Sequence, residues 1–111
     1  MAYQNIVGDL LGQGAITTGY KIFYTVPANT RAYVKEFDIC NTTANVINVY
    51  VSLVIAGETP GTTNAIMYNT PVPGYSTVQW CGTQILDEAG TVQLKATAAG
   101  CTVTISGGEA T

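Results

Sequence analysis

Residues 91–98 read Thr91-Val92-Gln93-Leu94-Lys95-Ala96-Thr97-Ala98, and residues 101–106 read Cys101-Thr102-Val103-Thr104-Ile105-Ser106. In the first run the even positions are apolar and the odd ones polar. After the break at residues 98–100 the apolar set moves to the odd positions. Side chains that change face at every step belong to an extended backbone with one face on a core and the other on solvent, as in antiparallel sheets. The two runs are two strands with a turn between them.

Working outward, the same period recurs. Across residues 46–55 the odd positions Ile47, Val49, Val51, Leu53 and Ile55 are apolar, with Asn48 and Ser52 among the even ones. Residues 20–26 alternate through Tyr20, Ile22, Tyr24 and Val26, then meet Pro27, which has no N–H to give a ladder. Across residues 31–40, Ala32 and Val34 are in phase with each other but out of phase with Phe37 and Ile39. An extra residue near Lys35 and Glu36, a β-bulge, would reconcile them. Shorter strands are expected at residues 64–68, 77–81 and 83–86, and a first one at 14–17. No window carries the i, i+3, i+4, i+7 pattern over helical length.

Turn-forming residues punctuate these runs at 27–29, 41–45, 57–63, 71–74, 87–90 and 98–100. The expected fold is therefore all-β: a two-sheet antiparallel β-sandwich of about eight strands. A jelly-roll-like order is preferred to an immunoglobulin one, because the strand number fits and the Cys-Trp-Cys spacing is absent. A chain of 111 residues makes one domain. Residues 14–111 are read as the sandwich and residues 1–13 as an N-terminal arm or an edge strand. Residues 56–76, which hold three of the four prolines, are read as one or two long loops around a short strand. Loops on a rigid sandwich are common contact sites.

Apolar residues make up 47% of the chain and charged ones only 10%, against about 25% charged in ordinary domains. Such a surface is covered by Thr, Asn, Gln, Ser and Tyr, or by another protein. The net charge is −3, and the four cations Lys21, Arg31, Lys35 and Lys95 are dispersed. That is too few to displace counterions from phosphates, so neither nucleic acid nor an anionic membrane is expected as a partner. No run approaches the ~20 apolar residues of a membrane span. No leader is expected either: the first twelve residues lack a basic start, and Ile6, Val7, Leu10 and Leu11 are interrupted by Gly8 and Asp9. The odd set Cys40, Cys81 and Cys101 suits a reducing compartment, with all three expected as buried or half-buried fillers.

The reactive chemistry is thin. There is no histidine, which removes the commonest general base and most zinc sites. No nucleophile elbow, phosphate loop or dinucleotide fingerprint occurs. Among seven carboxylates, Glu36 and Asp38 share a strand face, which in principle allows a glycosidase-like pair, but they are read as two solvated side chains outside a sheet. Asp87 and Glu88 suit a turn. The chain is expected not to be an enzyme and to hold no cofactor or metal. Trp80 is expected in the core, with a sugar-stacking platform as the other use for it. Tyr20, Tyr24 and Tyr50 fall in strands, whereas Tyr3, Tyr68 and Tyr75 fall in or beside loops, where tyrosine rings anchor protein interfaces.

The stretch Phe23-Tyr24-Thr25-Val26-Pro27-Ala28-Asn29-Thr30, followed by Ala32-Tyr33-Val34-Lys35 and Ile39-Cys40-Asn41-Thr42-Thr43, resembles a pattern of small tailed-phage virion proteins. The stretches at residues 85–92 and 103–107 resemble the same proteins. Together these cover about half the chain and are similar to the capsid decoration, or staple, proteins of epsilon-fifteen-like short-tailed phages. The resemblance implies a jelly roll on the outer capsid surface of the virion, made in the bacterial host cytoplasm. It implies a homodimer across local twofold axes that clamps neighbouring subunits of the phage major capsid protein. Related stretches also occur in tail and fibre proteins, so a tail, collar or baseplate component is one alternative. A carbohydrate-binding sandwich using Trp80 or the loop tyrosines is another. Ile6, Leu10, Leu11, Tyr68 and Tyr75 are the expected partner contacts.

Overall fold

A computed structural model describes residues 5–111, so Tyr3 and the first residues of the expected arm lie outside the described residues. Eight strands follow in order: β1 (Ile6–Ala15), β2 (Lys21–Thr25), β3 (Arg31–Asn41), β4 (Ile47–Val54), β5 (Ala65–Val72), β6 (Thr77–Leu86), β7 (Thr91–Ala96) and β8 (Cys101–Ala110). Sheet I has the order β1-β8-β3-β6 and sheet II the order β2-β7-β4-β5. All pairings are antiparallel. Every connection except β4–β5 crosses from one sheet to the other. This is the eight-stranded, double-sheet jelly-roll arrangement.

The two runs that open the sequence reading are not a hairpin. β7 lies in sheet II and β8 in sheet I, so the turn after Ala96 carries the chain across the sandwich. Their apolar faces meet in the core: Val92, Leu94, Ala96, Cys101, Val103 and Ile105 are all buried. Phe37, Ile39, Val49 and Val51 complete its centre. Each such aliphatic or aromatic side chain contributes about 1.5–3 kcal/mol on leaving water.

The phase change in β3 is a bulge at Lys35. The register skips between Val34 and Glu36 against both neighbours, which returns Ala32, Val34, Phe37 and Ile39 to one buried face. Between β3 and β8 the backbones close up until a Cβ at Gly107 would run into the Tyr33 carbonyl.

Asn41 ends β3 fully buried, with every side-chain polar atom used. Its Nδ2 donates to the carbonyls of Asn45 at 2.7 Å and Val72 at 2.9 Å. Its Oδ1 accepts from the Thr43 N–H and hydroxyl. One side chain thereby shapes the β3–β4 turn and ties sheet I to sheet II.

Four expectations change. Residues 77–81 and 83–86 form one strand, β6, whose alternation breaks because Gly82 and Thr83 together oppose Lys35. β5 continues past residue 68 to Val72 through Pro71, so Tyr68 is a strand residue. An edge strand tolerates proline because one of its backbone rims has no partner. β1 starts at Ile6 and not at Gly14. It runs unbroken to Ala15 across the expected 13/14 division, hydrogen-bonded to β8 with Leu11 bulged out of register. Finally, Cys81 is exposed, while Cys40 is half-buried and Cys101 buried.

Candidate interaction surfaces

The sandwich has two flanks. One is formed by the edge strands β1 and β2, the other by β5 and β6. The first carries Ile6, Val7 and Leu10 on β1 and Ile22 on β2, between 52% and 65% exposed. The second is hollowed. A depression of about 330 Å³ lies between the sheets at Leu53, Ile66 and Leu86, with Ile55 and Ile85 on its rim. Those two isoleucines, themselves more than half exposed, also border a second hollow beside Asp87 and Glu88.

The five expected contact residues divide between these flanks. Ile6 and Leu10 are exposed together on β1, and Leu11, half-buried, packs against the core. Tyr68 lies on β5 at the opposite flank, and Tyr75 stands 76% exposed in the β5–β6 turn with φ 53°. They are not one patch. Sequence reasoning misses Val7, because β1 has no period to read. It also misses Ile55, which alternation places inward, and Ile85, which sits in a short run with no facing to read.

The outer face of sheet II is aromatic. Lys95 pairs with Tyr50 across β7 and β4, and its ammonium sits 4.6 Å from the Tyr50 ring centre and 4.8 Å from that of Tyr20. Tyr68 meets Tyr50 edge-on at 5.0 Å. β5 bulges here: Tyr68 and Asn69 together oppose Tyr50, and Asn69 adopts the left-handed conformation at φ 51°. Its Oδ1 accepts from Asn48 Nδ2 at 2.9 Å and from the Tyr50 hydroxyl at 3.1 Å. Bulges that re-aim side chains often lie beside functional sites.

The outer face of sheet I holds Glu36 and Asp38, with Cys81 beside Glu36. A hydrogen bond between the two carboxyls pulls them apart in acidity: it raises Asp38 and lowers Glu36. Loss of hydration and the Glu36 charge push the Cys81 thiol up, which makes it a poorer nucleophile. The pair lies on an open strand face, outside both hollows. Trp80 is half-buried and stacked on Phe37, centroids 4.8 Å apart. One further contact joins the sheets. The Tyr24 hydroxyl on β2 donates to Glu109 on β8 at 2.6 Å, and burial together with that carboxylate raises it well above the usual tyrosine range. Among the described residues, no three His, Cys, Asp or Glu side chains cluster to hold a metal.

No family model matches this chain. No curated protein matches it either. Solved structures do. A chain from Bacillus endospore appendages, described as a novel family of disulfide-linked pili, is 17% identical with a TM-score of 0.50, over 100% of this chain and 94% of that one. A chain of infectious bursal disease virus, Gx strain, is 9% identical with a TM-score of 0.50. That match covers 96% of this chain and 32% of the viral one, so the present chain spans about a third of its length. At such identities the likeness is one of fold. The phage decoration family is not shown by these comparisons.

Proposed function

We propose that this chain is a virion structural protein that decorates the outside of a phage capsid and staples neighbouring major capsid protein subunits. One observation carries the reading: two exposed apolar clusters lie on opposite flanks of a single rigid sandwich, Ile6, Val7 and Leu10 on one and Ile55 and Ile85 on the other. A brace needs two grips held at a fixed separation. Exposed apolar clusters are characteristic of protein interfaces, and the unpaired outer rim of β1 offers backbone groups to a partner strand. A homodimer across a local twofold axis would use one flank for the second copy and leave the other for the shell. The fold likeness to chains of a pilus and of a virus is in keeping with a subunit of a repeating assembly. No catalysis, nucleic acid or membrane enters this reading.

The energetics are those of mass action. A ligand that binds only the assembled shell, at 100 times its Kd, stabilises each site by about 2.7 kcal/mol. Purified shells are expected to recruit the chain and to melt at a higher temperature in calorimetry when occupied. Alanine at Ile6, Val7, Leu10, Ile55 and Ile85 together is expected to abolish recruitment. Identical melting of bare and occupied shells would end the bracing role.

A further inference from the structure

We infer that the outer face of sheet II binds an acidic glycan, a chain of carboxylate-bearing sugars, with Lys95 as the anion anchor and Tyr68 as the stacking ring. The argument does not depend on the capsid reading and applies to the isolated chain.

The first observation is charge. The chain carries −3 overall, yet all seven carboxylates lie off the strands of sheet II, which hold Lys21 and Lys95. Lys95 projects from the middle of that sheet and is only half exposed. Its ammonium is held between the rings of Tyr20 and Tyr50, and among the described residues no oxygen accepts from it. Aromatic faces hold a cation by their quadrupole and give it no oxygen acceptor. An N–H that is not aimed at either ring is left for a ligand.

The second observation is the amide next to it. Asn69 Oδ1 is saturated by Asn48 and the Tyr50 hydroxyl, which leaves the Asn69 amide N–H groups facing outward. The left-handed backbone at this non-glycine residue costs on the order of 1 kcal/mol or more and is held by the bulge. The Lys95 ammonium thus stands beside a neutral amide donor on the same face. A uronic acid polymer brings a carboxylate for the first and hydroxyl oxygens for the second on every ring.

The third observation is shape. Tyr68 is 55% exposed and met edge-on by Tyr50, so its ring is presented at the surface. Lys95, Tyr50 and Tyr68 stand on three successive strands, which lie ~4.8 Å apart. That step is close to the rise of one pyranose along a polysaccharide. The carboxylate of one sugar meets Lys95 while the apolar face of the sugar two along covers Tyr68, two strands away.

The test is NMR on the full-length chain, isotopically labelled and titrated with an oligomer of galacturonic acid and with its carboxyl-reduced, neutral counterpart. The acidic probe is expected to shift the backbone signals of residues 48–50, 68–69 and 93–96 saturably, and less so as salt is added. Lys95→Met is expected to weaken binding about tenfold or more, Lys95→Arg to retain most of it, and Tyr68→Ala to lose several-fold. The thermal midpoint of Lys95→Arg monitors folding independently. Equal binding of the neutral probe, shifts confined to sheet I, or no saturation by about 10 mM would each overturn the inference.

Discussion

The two sheets are built alike on the inside and differently on the outside. Sheet I is made of strands of ten or eleven residues, sheet II of strands of five to eight. The strands of sheet I carry Asp9, Glu36, Asp38 and Glu109 against Arg31 and Lys35, whereas those of sheet II carry two lysines and no carboxylate. Their edges differ as well. β2 is short and β5 is interrupted by Pro71 and by the bulge at Asn69, devices that discourage strand pairing. β1 is ten residues long, with one charge, Asp9. The inner faces, Val34, Phe37, Ile39, Val103 and Ile105 against Val49, Val51, Val92 and Leu94, are plain apolar surface. A core of this kind needs volume and pattern, and leaves the outer faces free to be shaped by partners.

If the inner faces are equivalent, removing volume from either should cost alike. Phe37→Ala in sheet I is expected to destabilise by about 3–5 kcal/mol and Leu94→Ala in sheet II by about 2–5 kcal/mol, both read from urea midpoints with unchanged slope. A core mutation that loosens one sheet and leaves the other intact would show that the sandwich is not one cooperative unit. Next in size comes the tie between the sheets. Asn41→Leu leaves the Val72 and Asn45 carbonyls without their donor and should cost about 1–3 kcal/mol. Hydrogen exchange is expected to rise first where β5 and the β3–β4 turn meet.

The smallest effect concerns the second tie, Tyr24 to Glu109. The hydroxyl is raised in the folded state, so folding favours its protonated form. That contribution is fully present below the unfolded value of about 10 and is lost as pH climbs beyond it. Stability is therefore expected to fall more steeply above pH ~10 than in Tyr24→Phe, which has no hydroxyl to titrate. Matching alkaline profiles would mean that the contact does not couple the sheets.

Several elements are legible directly. β7 and the first halves of β4 and β8 show their period because each has one face on the core and one outside, whereas Ser52 and Val54, on the outward set of β4, are buried. The bulge at Lys35 is visible because Ala32 and Val34 cannot share a face with Phe37 and Ile39 without it. β1 and β6 are harder, and for one reason: both are edge strands with bulges. Exposure on two sides removes the need for alternation, and the bulges at Leu11 and at Gly82–Thr83 reset the phase. Among the expected contacts, Ile6 and Leu10 are legible as apolar residues with no core period to join. Leu11 looks identical in sequence and turns inward.

Local pattern by itself determined the all-β class, the number of sheets and most of the buried residues, since alternation is a property of neighbouring residues in an extended chain. Strand order decided the rest. Tyr20, Tyr50, Tyr68 and Lys95 lie in four separate segments, and Ile55 and Ile85 are thirty residues apart. Their meeting depends on which strands exchange hydrogen bonds across a closed sandwich, a long-range outcome that no period of two can encode.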